Sequence, residues 1–83
     1  MTGNFDYDVR EELCRARRKH GRIGNLHEGY AVLLEEVDEV WDCVRNHSTD
    51  HKGDVVAYAE LVQVAAMARR IIEDVILPVG AAQ

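Results

Sequence analysis

The fold of this chain is decided by the stretch from Tyr30 to Val44, YAVLLEEVDEVWDCV. Its large apolar residues recur at steps of three and four positions, which is the spacing of one face of an α-helix. We expect this wide stripe to pack inside a helical bundle, with Trp41 in the core. The stripe consists of Tyr30, Leu33, Leu34, Val37, Val40, Trp41 and Val44.

The same stretch carries an acidic cluster, EEVDE, at positions 35–39. No Lys or Arg occurs within residues 25–43 to pair with it. At about 100° of rotation per residue, Glu36 and Glu39 fall together on one flank of the apolar stripe, whereas Asp38 falls on the other flank. We therefore expect Glu36 and Glu39 to face sideways into the bundle and Asp38 to face water.

Composition limits both the size of the fold and its partners. The chain has 83 residues, which we interpret as a single domain, 1–83, and 47% of them are hydrophobic. A domain of this size is only marginally stable alone, so the composition favours association with a second copy.

The net charge of −5 argues against nucleic-acid and membrane partners. Cys14 and Cys43 have no paired spacing, so neither a disulfide framework nor a zinc site is suggested. With neither a signal peptide nor a membrane-spanning run, we expect a cytoplasmic protein.

Three helices are predicted from periodicity and capping signals. The first spans about 8–19, with Asp8 as its N-cap. The second spans about 26–46 and is capped by Asn25, and the third spans about 54–77. The predicted fold class is therefore an all-α antiparallel bundle of about three main helices per chain.

The third helix supplies the sequence evidence for oligomerisation. Its middle, residues 61–68, is apolar almost all the way round, and such a helix is buried on more than one side. We expect a homodimer or homotetramer to complete the bundle. Residues 1–6 and 79–83 are expected to be loose.

Two pairs of oxygen-bearing side chains are expected to face each other. Glu36 and Glu39 on the second helix, and Glu60 and Gln63 on the third, are each spaced three residues apart, which places both members on one helix face. Carboxylates at short range repel and raise one another's pKa values, and a hard divalent cation such as Mg²⁺ resolves this. The alternatives are a solvated acidic face, an exposed helix-start acid at Glu60 and a hydrogen-bonded core glutamine at Gln63.

These motifs resemble those of the MazG-like all-α nucleoside triphosphate pyrophosphohydrolases. Residues 35–39 fit the EExxE motif of that family, and the ELVQ run at 60–63 stands where the family carries ExxD. The basic first helix ending in KHG at 19–21 and the HEGY run at 27–30 match as well. The resemblance covers roughly residues 13–74 and is to the short, single-domain proteins of phages and mobile elements.

The resemblance implies an oligomeric all-α bundle that cleaves a nucleoside triphosphate to a monophosphate and pyrophosphate. Mg²⁺ is the implied cofactor, with Mn²⁺ as a substitute. By position, the resemblance makes Glu36, Glu39 and Glu60 metal ligands and gives Gln63 the fourth ligand position. Glu35 becomes a further ligand or the group that orients the attacking water.

Three residues outside the acidic EExxE and ELVQ motifs are expected to contact the substrate: Lys19, His27 and Arg70. The departure from the family pattern is Gln63, where an amide brings no charge and would hold the metal more weakly. The alternative function is therefore a MazG-like bundle that binds nucleotide or a protein partner with little or no turnover.

Overall fold

The computed structural model describes residues 1–46 and 51–77, and this part of the chain is helical without any strand. It contains α1 (Phe5–His20), α2 (Leu26–Arg45) and α3 (His51–Ile71), followed by a π-helical segment (Ile72–Ile76). α3 packs against both of the other helices. The predicted all-α class and the three main helices are confirmed.

α1 begins three residues earlier than predicted, because its N-cap is Asn4 and not Asp8. The Asn4 side chain accepts a hydrogen bond from the Tyr7 N–H at 3.0 Å, which satisfies one of the free donors of the first turn. Asp8 lies inside the helix and is buried, with 3% of its surface exposed. The capping pattern identified the start of a helix but assigned the cap to Asp8 and not to Asn4.

Asp8 instead accepts hydrogen bonds from residues near the N-terminus and from α3. The Thr2 N–H and hydroxyl donate to its Oδ1, both at 2.9 Å, and the Gly3 N–H donates to its Oδ2 at 3.0 Å. The Tyr58 hydroxyl donates to Oδ2 at 2.6 Å. Thus part of the segment 1–6, expected to be loose, is hydrogen-bonded to a buried carboxylate. Residues 79–83, for which the same was expected, lie outside the described residues.

The bounds of α2 agree closely with the prediction. Asn25 is its N-cap and accepts a hydrogen bond from the Glu28 N–H at 2.8 Å. The loop predicted at 47–53 is shorter than expected, since 51–53 already belong to α3; residues 47–50 lie outside the described part of the chain.

The π-helical segment carries a buried acid, Asp74, that ties the α1–α2 loop to the end of α3. Asp74 accepts hydrogen bonds from the Ile23 N–H at 3.0 Å and from the Arg17 guanidinium at 2.9 Å. Burial alone would raise the pKa of Asp74, but these two partners lower it below its ordinary value. The Arg22 guanidinium also donates to the Asp74 backbone carbonyl at 2.9 Å.

The buried apolar core of the described chain is small and lies mainly between α1 and α3. α2 contributes only Gly29 to the buried residues. A Cβ atom on Gly29 would lie 2.9 Å from Cγ1 of Ile71, so this glycine allows α2 to approach α3 closely. The buried apolar residues are Val9, Leu13, Ala16, Ile23, Val62, Ala66, Met67 and Ile71.

The prediction that the apolar stripe of α2 packs in the core is wrong for the single chain. Trp41 is 57% exposed and Tyr30 is 65% exposed, and Leu34, Val37 and Val44 are exposed as well. α2 turns a neighbouring, narrower face inward. The reason is geometric: the inward face includes Gly29, which permits close packing on α3, and a single neighbouring helix cannot also cover the wider stripe. The inward-facing residues are Gly29, Val32, Leu33, Glu36, Val40 and Cys43.

Candidate metal centre

Three glutamates from two helices converge on one point. Glu36 and Glu39 come from α2 and Glu60 comes from α3, and one carboxylate oxygen of each lies within 4.8 Å of the other two. The same two helices approach closely where Gly29 of α2 lies against the Ile71 side chain of α3. The structure thus brings together the three carboxylates that the sequence pattern paired.

Two of these carboxylates hold oxygens that are cut off from water. Oε2 of Glu36 and Oε2 of Glu60 are buried, and no group in the described part of the chain donates a hydrogen bond to either. Burying an anionic oxygen without a donor is costly. The cluster therefore needs either a proton or a cation.

The raised pKa values of the cluster also indicate that it holds a proton or a cation. Burial, followed by the nearby charges of Glu39, Glu60 and Glu12, raises the pKa of Glu36 from 4.5 to about 7. Burial and the proximity of Glu39 also raise the pKa of Glu60. These carboxyl groups would therefore hold a proton more strongly than usual, or would take up a divalent cation in its place.

The other members of the predicted site lie around this triad. Asp38 is exposed, as predicted from its position on the far flank. Glu35 is exposed and lies beside Glu36 at the wall of a cavity. Gln63 is half-buried on α3, three residues after Glu60.

A cavity of about 320 Å³ adjoins the triad, because Glu36 belongs to both. α1 and α2 form its sides, and Met67 and Arg70 of α3 complete it. Its lining contains carboxylates, basic side chains and three apolar residues. The lining residues are Glu12, Arg15, Ala16, His20, Glu28, Val32, Glu35, Glu36, Met67 and Arg70.

Glu12 and Arg15 are among the cavity-lining residues that sequence reasoning missed. Glu12 is buried, and the Arg15 guanidinium pairs with both of its carboxylate oxygens. The hydrogen bonds and charge of Glu12 raise the pKa of Arg15, with a contribution from Glu36. The available signal was helical spacing, since Glu12 falls on the buried stripe of α1 beside Val9 and Leu13.

The three predicted substrate contacts are separated in the structure. Arg70 lines the cavity but is 3% exposed, and its NH2 donates to the Gly21 carbonyl at 2.8 Å. Lys19 and His27 are exposed and do not belong to the cavity lining. Of the three, only Arg70 lines the cavity that adjoins the cluster.

Comparison with protein-family models, with curated proteins and with solved structures found no match. The resemblance to the MazG-like family accordingly rests on the motifs in the sequence. None of the helices in the described ranges combines the length and apolar character that crossing a bilayer requires.

Proposed function

We propose that this chain is a Mg²⁺-dependent nucleotide pyrophosphohydrolase that converts a nucleoside triphosphate to a monophosphate and pyrophosphate. The observation that carries the proposal is the convergence of Glu36, Glu39 and Glu60 around buried oxygens without hydrogen-bond donors. Carboxylate oxygens are the ligands that Mg²⁺ prefers, and Mn²⁺ accepts the same set. Gln63 would add a neutral amide oxygen from the next turn of α3.

The chemistry requires an activated water and a stabilised leaving group. A bound divalent ion neutralises phosphate charge and makes a water nucleophile available near neutral pH. Glu35, exposed beside the triad, would orient the water and take up its proton. The water oxygen bonds to the α-phosphorus as the bond to the α–β bridging oxygen breaks, and pyrophosphate leaves.

The cavity beside Glu36 is the proposed binding place for the nucleotide. Its volume of about 320 Å³ falls at the lower end of the usual range for small-molecule sites. The side chain of Arg15 is 54% exposed at its wall, so its guanidinium could turn from Glu12 toward a phosphate. Lys19 and His27 would contact phosphates only outside this cavity.

A second candidate function is nucleotide or protein binding without turnover. It is favoured by Gln63, whose uncharged amide leaves the cluster with three carboxylates where the resembled family carries four. Under this alternative the cluster still binds a divalent ion, but the ion is held too weakly or too incompletely to drive hydrolysis.

We also propose that the active form is a cytoplasmic homodimer or homotetramer. The support for oligomerisation is the thin core of the single chain, together with apolar residues of α3 that remain open, such as Leu61 at 50% exposure. The support for the cytoplasm is that Cys14 and Cys43 are free thiols, as expected where disulfides are rare.

The experiment that tests the enzyme is pyrophosphate release from a panel of ribo- and deoxyribonucleoside triphosphates with MgCl₂. Glu36→Gln removes a charge from the triad, and Asp38→Asn is its matched control in the same motif but facing water. The proposal expects turnover by the wild type and by the control only. Thermal stabilisation by Mg²⁺ without any pyrophosphate release would favour the alternative without turnover.

A further inference from the structure

α2 presents a continuous apolar ridge to solvent. We define the α2 ridge as Tyr30, Leu34, Val37, Trp41 and Val44, all of them 40% or more exposed. Their spacing alternates between four and three residues, which is the heptad pattern of a helix that packs along a partner helix. Only Gly29 of this 20-residue helix is buried. Such a helix is incompletely covered by the part of its own chain that the structure describes.

The ridge is large enough to form an interface. It extends about 21 Å along the helix at a rise of about 1.5 Å per residue. Burying Tyr30 and Trp41, exposed by 65% and 57%, would remove on the order of 250 Å² from water, since each aromatic side chain covers about 150–250 Å². With its three aliphatic members, the ridge reaches on the order of half the ~800 Å² that each partner buries in a stable complex.

The ridge is nearly symmetrical about its middle residue. Tyr30 and Val44 each lie seven positions from Val37, and Leu34 and Trp41 lie three and four positions from it. When such a helix is placed antiparallel to a copy of itself, apolar side chains oppose apolar side chains along the whole length. This self-complementarity is the requirement of a two-fold interface, and the antiparallel direction also opposes the two helix dipoles.

We propose that the α2 ridge pairs with the α2 ridge of a second copy, antiparallel, with the two-fold axis close to Val37. The proposal specifies the surface for the oligomerisation included in the proposed function, and it does not depend on metal binding or hydrolysis. Glu36 and Glu39 lie about a third to half a turn around α2 from the ridge. Pairing therefore leaves the carboxylate cluster open to ligands.

The geometry gives a test that reads out proximity directly. A residue next to a two-fold axis lies close to its own copy, so a cysteine there can form a disulfide with itself. We suggest Val37→Cys in a Cys14→Ser, Cys43→Ser background, oxidised mildly and run on a non-reducing gel. The matched control is Val56→Cys on α3, where the native valine is 52% exposed compared with 44% for Val37.

The expected result is a reducible dimer band that forms about tenfold faster for Val37→Cys than for the control, because pairing raises the local thiol concentration. Light scattering of Val37→Lys should give a folded monomer, and Val56→Lys should keep the wild-type mass. A monomeric wild type would overturn both this proposal and the proposed oligomer. An oligomeric wild type whose mass survives Val37→Lys, with no preferential cross-link at 37, would overturn the α2 ridge alone.

Discussion

The carboxylates of Glu36 and Glu60, from adjacent antiparallel helices, meet with oxygens within 4.8 Å. Each buries an Oε2 for which the described residues provide no donor. Two acids held in this way repel each other unless a proton or a cation lies between them. The relationship therefore links the stability of the fold to both pH and divalent ions.

The first prediction concerns that linkage. Burial and neighbouring charges raise the pKa of Glu36 from 4.5 to about 7, so the folded state binds a proton that the unfolded state has released. The contribution of this group to stability is intact below about pH 4.5, falls as the pH rises to about 7 and is constant above that. MgCl₂ should therefore raise the melting temperature more at pH 8 than at pH 5. Equal shifts at both pH values would contradict a site on Glu36.

The second prediction concerns single members of the triad. Glu36→Gln or Glu39→Ala should lower kcat/KM by about 100-fold or more, because a ligand to the ion is lost. The metal-free variant should melt at the same temperature as the wild type or a few degrees above it, since a repulsion is removed. Asp38→Asn, which faces water, should change neither quantity. Marked destabilisation of the metal-free Glu36→Gln protein would count against this account.

The third prediction concerns the polar contact between α1 and α3. Burial alone would raise the pKa of Asp8, but hydrogen bonds from Tyr58, Thr2 and Gly3 lower it to about 2. Asp8 therefore contributes stability above about pH 4 that is lost as the pH falls toward 2. Tyr58→Phe should lower the melting temperature at pH 7, and the difference from wild type should narrow toward pH 2. Tyr7→Phe, at a 48% exposed tyrosine, should have no such effect.

The fourth prediction concerns the close approach of α2 and α3. Gly29→Ala places a Cβ at 2.9 Å from Cγ1 of Ile71, and overpacking of this kind costs about 1–3 kcal/mol. Alanine also favours the helix over glycine by about 1 kcal/mol. The net effect in the wild type should be destabilising by up to about 2 kcal/mol. In an Ile71→Ala background the same change should stabilise by about 1 kcal/mol, measured by urea denaturation as a double-mutant cycle.

The sequence predicts the helices well because their signals are local. The capping of α2 by Asn25 and the i, i+3 pairing of glutamates need only the neighbouring residues. The predictions that failed depend on contacts between residues that are distant in sequence. Asp8 has the chemistry of a cap, yet Tyr58, distant in sequence, holds it in the interior.

The rotation of α2 is the clearest tertiary effect. Periodicity finds the most hydrophobic face of a helix but does not say whether that face meets the same chain. Trp41 lies on that face and is exposed, while Gly29 and Glu36 turn inward. Glu12 was missed for a related reason: its position on the buried stripe of α1 matters only once the cavity beside Glu36 is known.

Hydrogen bonds join both ends of α1 to α3 and to the π-helical segment that follows it. Tyr58 donates to Asp8, and Arg17 donates to Asp74. The buried hydrogen bonds described above join α1 and the α1–α2 loop to α3 and its extension, whereas α2 meets α3 at Gly29 and at the carboxylate cluster, two of whose three acids lie on α2. Local opening, measured by amide hydrogen exchange, should therefore begin with α2. An ion held between Glu36, Glu39 and Glu60 would cross-link α2 to α3 for as long as it stays bound. Binding of the ion would therefore also make α2 more rigid.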